Sequence, residues 1–215
     1  MKNRRAFLKR STLVIAGAMA TSLYGNSKTN LASSEEDNLY IIGPRKGYTE
    51  EIGALLYTKT MMRKWLINSV KDLSVEQLDF QIDEKSNSIG AMLLHLPATE
   101  RYYQLNTSDE MTWDSRSDSI KDEWDIPMNL GENSRDIIKG HTIDSSSSKL
   151  KEVREVTKKE FAKRDDSWLM KSELFFEDKP TNNYCKWFHV CEHESNHTGQ
   201  IKFISKRFPV EISLN

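Results

Sequence analysis

Apolar residues recur along this chain at intervals of three and four, and no alternating run is long enough to predict a strand. Between Thr49 and Val70, the residues Ile52, Leu55, Leu56, Met62, Leu66 and Val70 fall on one face of a helix, because positions three and four apart stack above one another. Ser74-Val75-Glu76-Gln77 reads as a capping box that starts a short helical turn before Leu78 and Phe80. Ser88 caps a second long helix running from Ile89 to about Leu105, with Ile89, Leu93, Leu96 and Tyr103 towards the core. A third helix has the narrow stripe Leu150, Val153, Thr157 and Phe161, and a solvated outer face on which Glu155 can pair with Lys159. Asn182 or Asn183 caps the last helix, which ends near Arg207 because Pro209 prevents continuation.

The connections differ in character. Residues 106 to 143 are polar, with Pro127, Gly131 and Gly140, and are predicted as a long connection of the kind that is usually functional or partly disordered. Trp113, Trp124 and Ile126 are too apolar for free linker, so the segment is expected to lie against the body of the protein. A second connection, residues 165 to 182, closes at Pro180. Four long helices with one long crossover between the second and third predict an all-α fold, a four-helix bundle in which metal sites are built from inward-facing side chains.

The amino terminus departs from this periodicity. Asn3-Arg4-Arg5-Ala6-Phe7-Leu8-Lys9, with Arg10 next, precedes a mildly apolar stretch from Ser11 to Leu23, and the whole resembles a twin-arginine export signal. The stretch is too short for a bilayer core that needs ~20 apolar residues, so no stable membrane insertion is expected after processing. Residues 1–32 are read as signal and linker, residues 33–215 as a single domain, and the mature chain as exported or periplasmic, starting between Thr21 and Ser33. The leader carries six basic and no acidic side chains, so its removal takes the formal net charge from −1 to −7. An acidic chain lacks the clustered positive charge that displaces counterions from a phosphate backbone, which excludes nucleic acid as a partner. Cys185 and Cys191 lie six apart, on different faces of one helix and beyond disulfide reach, and both read as small buried residues.

Candidate chemistry is concentrated in the histidines. Residues His193-Glu194-Ser195-Asn196-His197 place two imidazoles on one helical face and also match H-E-x-x-H, in which Glu194 would be the general base of a zinc protease. Such a protease needs a third ligand downstream, and the 18 residues after His197 contain no histidine and only one carboxylate, Glu211. Upstream, His95 lies in the second helix. Ser88, Ala91 and Ala98 on its stripe are small, leaving room for an ion, and Pro97 bends the helix beside it.

Ser88-Ile89-Gly90, Leu94-His95-Leu96 and Glu100-Arg101-Tyr102-Tyr103, followed by His189-Val190-Cys191-Glu192-His193 and His197-Thr198-Gly199-Gln200-Ile201, resemble the DinB family of metal-binding four-helix proteins over residues 49 to 208. The chain departs from that pattern at Glu194, where small residues are common, and at Thr198, where arginine is frequent. The resemblance implies that His95, His193 and His197 hold a divalent metal. Three neutral imidazoles describe an open site of the kind catalytic zinc takes, and they also suit nickel, iron or copper. Glu194, Glu100 or Tyr102 would exchange a proton with a bound water. His189 is either a fourth ligand or a partner of one, Gln200 would hold a ligand ring or a bound water, and His141 reads as exposed. Some relatives activate a low-molecular-weight thiol, and export would separate this chain from such cytosolic thiols.

The expected function is therefore a metal-dependent hydrolase or transferase acting on a small molecule. Its alternatives are a metal-binding or stress-related module without turnover, and the zinc protease. Bundle relatives often pair through helix faces, which leaves a homodimer open.

Overall fold

A computed structural model describes residues 39–213, so the segment read as an export signal and the expected start of the mature chain lie outside the described residues. The described chain is mostly helical. Four long helices, α1 (Glu50–Val70), α3 (Ile89–Thr107), α6 (Ile143–Phe161) and α8 (Asn183–Ser205), are joined by shorter elements. These are α2 (Val75–Asp79), α4 (Asp118–Asn129), α5 (Glu132–Ile137), α7 (Asp166–Met170), α9 (Val210–Ser213) and the strands β1 (Ser172–Leu174) and β2 (Pro180–Asn182). Helix α1 packs on α8 and α6, and α3 packs on α6 and α8, so each long helix has two long neighbours. None of the described helices is long and apolar enough to cross a membrane.

Side-chain caps set several of the boundaries. Ser74 and Gln77 form the reciprocal capping box of α2. The Ser88 hydroxyl accepts the Ala91 backbone N–H at 3.1 Å, and the Asn182 side chain accepts that of Cys185 at 2.8 Å. At one end the four long helices meet over Leu66, Val70, Met92, Leu93, Leu96, Leu150, Ile201 and Ile204. At the other, Ile52, Leu55, Leu56, Tyr103, Phe161, Trp187 and Val190 form a second apolar cluster. Helix α3 runs through Pro97 without interruption.

Four expectations are corrected. The crossover is largely helical: α4 and α5 occupy residues predicted as irregular connection. Ile120, Trp124 and Met128, four apart, make a stripe that packs on Ala98 and Val153. That packing also fills the space beside Ala98, so this small residue accommodates an indole and not an ion. In the second connection β1 and β2 pair antiparallel, Ser172 opposite Asn182 and Leu174 opposite Pro180, with strands too short to leave an alternating pattern. Finally, Cys185 is exposed and only Cys191 is buried, both as free thiols.

Candidate metal centre

His95 projects from the middle of α3, and His193 and His197 from one face of α8, one turn apart. The α3–α8 contact brings the three rings together, with potential ligand nitrogens all within 4.8 Å of one another. Ring centroids are 4.9 Å apart for His95 and His193, 5.1 Å for His95 and His197, and 4.5 Å for His193 and His197. Nε2 of His95 and Nε2 of His193 approach to 2.8 Å. Nitrogens sharing a tetrahedral zinc stand roughly 3.3 Å apart, so small ring movements suffice to admit an ion.

The tautomers also suit a metal. His95 Nδ1 lies 2.9 Å from the Pro127 carbonyl oxygen, which can only accept, so Nδ1 carries the proton and Nε2 presents its lone pair. His197 Nδ1 donates to Gln200 Oε1 at 3.0 Å, and Gln200 Nε2 donates in turn to Asn196 Oδ1 at 3.0 Å, which orients the carboxamide. Two of the three rings thus have their outer nitrogens held by oxygen acceptors, the arrangement that fixes metal-ligating histidines. Burial pushes the pKa of His95 down to about 4, with the charge of His197 adding to the effect and the Pro127 carbonyl opposing it. Burial likewise takes His193 down to about 3, helped by His197, His95 and His189, and lowers His197 against the pull of Gln200. All three are neutral at pH 7 and available as donors.

The remaining candidates lie elsewhere. Glu100 and Glu194 belong to a buried ion-pair network that joins α1, α3, α6 and α8. Arg63 on α1 contacts Glu194 Oε1 through Nε at 2.5 Å and Glu100 Oε2 through Nη2 at 3.3 Å. Arg154 on α6 donates from Nε to Glu100 Oε1 at 2.8 Å and from Nη2 to Glu194 Oε2 at 3.1 Å. The Thr157 hydroxyl donates to Glu100 Oε1 at 2.6 Å, and Lys59 Nζ lies 3.6 Å from the same oxygen. Burial alone would raise the Glu100 pKa, but Arg154, Lys59 and Arg63 hold it well below the usual carboxylate range. Tyr102 is taken up by an aromatic cluster, edge-on to Trp113 and Tyr103, and burial raises its pKa, with Glu173 and Asp114 adding to it. His189 stacks on His193 at 5.4 Å and shares a hydrogen bond with the Tyr103 hydroxyl at 3.1 Å, outside the three-histidine group. His141 is half-buried and lines a small pocket with Trp124, Pro127 and Lys149.

Two participants escaped the sequence reading. The Thr99 hydroxyl, one turn beyond His95, lies 3.4 Å from Nε2 of both His95 and His193, and its i+4 spacing was the available signal. Pro127 acts only through its backbone carbonyl, for which sequence carries no signal. The sequence matches no protein-family model and no curated protein at a significant level.

Proposed function

We propose that the chain is an exported, DinB-like four-helix bundle protein that binds a divalent metal ion through His95, His193 and His197. The observation that carries this reading is the convergence of three neutral imidazoles, with His95 lying 98 residues before His193 in sequence. The mutual packing of α1, α3, α6 and α8 supports the bundle, and Arg4-Arg5 ahead of a short apolar stretch supports twin-arginine export. Zinc suits the donor set best, and nickel or iron is compatible with it.

Bound there, such an ion supplies a Lewis-acidic centre that lowers the pKa of a coordinated water or thiol. The protein's part is orientation. Pro127 and Gln200 fix two rings, and the Thr99 hydroxyl, 3.4 Å from Nε2 of both His95 and His193, would hydrogen-bond a water or substrate atom held there. An open groove of about 890 Å³ lined by Asn87, Met92, Asn196, Gly199, Gln200 and Phe203 adjoins the site through Gln200 and suits a small, partly apolar substrate. This supports a hydrolase or transferase acting on a small molecule. A module without turnover is favoured by one observation, that among the described residues no carboxylate joins the ligand cluster. The protease reading has no such support: its base would be Glu194, which is 2% exposed and committed to Arg63 and Arg154.

Elemental analysis of natively exported protein tests the proposal. One equivalent of metal is expected per wild-type chain and none in His95→Ala with unchanged helical content. Equal metal in the two proteins rejects the triad.

A further inference from the structure

The buried ion-pair network does not balance. Three basic side chains, Lys59, Arg63 and Arg154, face two carboxylates, Glu100 and Glu194, with side-chain exposures of 0, 13, 6, 1 and 2% respectively. Among the described residues Lys59 Nζ has no hydrogen-bond partner, although it lies 4.9 Å from the Trp187 ring centroid. Burial lowers the Lys59 pKa and Arg154 adds to the effect, against the opposing pull of Glu100. Uncompensated charge in a protein interior is costly unless a counter-charge is near.

The two arginines of this network also face open space. Arg63 and Arg154 line a cavity of about 620 Å³ beside α1 and α6, to which Arg45, Lys64, Lys151 and Lys158 contribute. Of these, Arg63 and Arg154 are held by Glu100 and Glu194, and Lys158 pairs with Glu155 at 2.8 Å. Basic composition is not the reason, since the chain's formal net charge is −1. Lys64 and Lys151 are exposed and form no ion pair among the described residues. The two guanidiniums are held by Glu100 and Glu194 before any ligand arrives, which lowers the ordering cost of binding. Leu39, Ile67 and Leu150 add an apolar wall, and the volume lies within the roughly 300–1,000 Å³ of small-molecule sites.

We propose that this cavity binds a small organic oxyanion, a carboxylate or phosphate ester. Its charge is met by Arg63, Lys64 and Lys151, and its apolar part lies along Leu39, Ile67 and Leu150. The site is separate from the three histidines and does not depend on the metal-binding reading.

Calorimetric titration of the full-length chain at low ionic strength with phenyl phosphate, benzoate and benzyl alcohol tests it. At least one of the two anions should bind saturably at millimolar concentration or below and the alcohol should not; the tighter anion identifies the ligand class. The exposed pair Lys64→Gln/Lys151→Gln should weaken binding at least about tenfold, the effect expected from losing charge-assisted contacts, while His95→Ala leaves it unchanged. The proposal is overturned if neither anion binds, if the alcohol binds as well, or if the lysine variant matches wild type. Loss of anion binding in His95→Ala would also overturn it, by assigning the anion to the metal centre.

Discussion

Glu100→Gln removes one of two negative charges from an interior that holds three basic side chains. The residue is 0% exposed and its carboxylate receives Arg154, Arg63, Lys59 and the Thr157 hydroxyl, so glutamine leaves three basic side chains facing Glu194 alone. Breaking a buried pair in this way costs about 3–5 kcal/mol, a large part of the 5–15 kcal/mol typical of a whole domain. For a domain of this size that is a fall in melting temperature of roughly 10 °C at pH 7. Lys59→Met should behave oppositely. Its amine is buried without a hydrogen-bond partner, and an unbranched apolar chain of similar volume fills its place, so stability is unchanged or improved by up to about 2 kcal/mol. The double variant should recover at least about 1 kcal/mol of the Glu100→Gln loss, because one stranded cation has gone. Thermal and urea melts of the four proteins form the cycle. A Glu100→Gln midpoint within about 2 °C of wild type, or a loss undiminished by Lys59→Met, would refute the charge-imbalance argument. Metal content in Glu100→Gln chains that remain folded should equal wild type, which separates an electrostatic role from a ligand role.

Two further outcomes follow from the site. Gln200→Ala frees the outer nitrogen of His197 and should weaken metal affinity about tenfold in a competition titration with a chromogenic chelator, with little change in melting temperature. After metal removal, stability should fall as pH drops from about 6.5 towards 4, because the folded-state pKa of His95, about 4, and of His193, about 3, lie below the unfolded value, so the unfolded chain gains protons first. His95 alone contributes roughly 3 kcal/mol to that loss across the window. A shallower pH–stability curve between 7 and 4.5 in the His95→Ala/His193→Ala double variant than in wild type is the expected contrast, His197 supplying the remaining slope; parallel curves would contradict it.

Much of the helical architecture was legible because its signals are local. A three- or four-residue recurrence such as Ile52, Leu56, Leu66 and Val70 selects one helical face, and Ser74, Ser88 and Asn182 cap helices with their own side chains. The crossover was harder to read because Asp, Ser and Gly dominate its composition while its helical signal, Ile120, Trp124 and Met128, needs α3 and α6 as a partner surface. The hairpin was invisible because three-residue strands have no period to detect. Lys59 and Arg63 do sit on the apolar stripe of α1, which in retrospect marks them as interior charges, yet a stripe cannot say which carboxylate faces it.

By itself the sequence determined where the four long helices lie and that His193 and His197 share a face, since both follow from backbone geometry over a few residues. It also limited the third imidazole to an upstream position. Tertiary structure alone decided that His95 meets that pair, that a proline carbonyl from the crossover holds its ring, and that Glu194 turns to arginines on two other helices. These outcomes depend on how helices rotate and slide against one another, which is set by side-chain packing across the whole core and by the cost of burying unpaired charge.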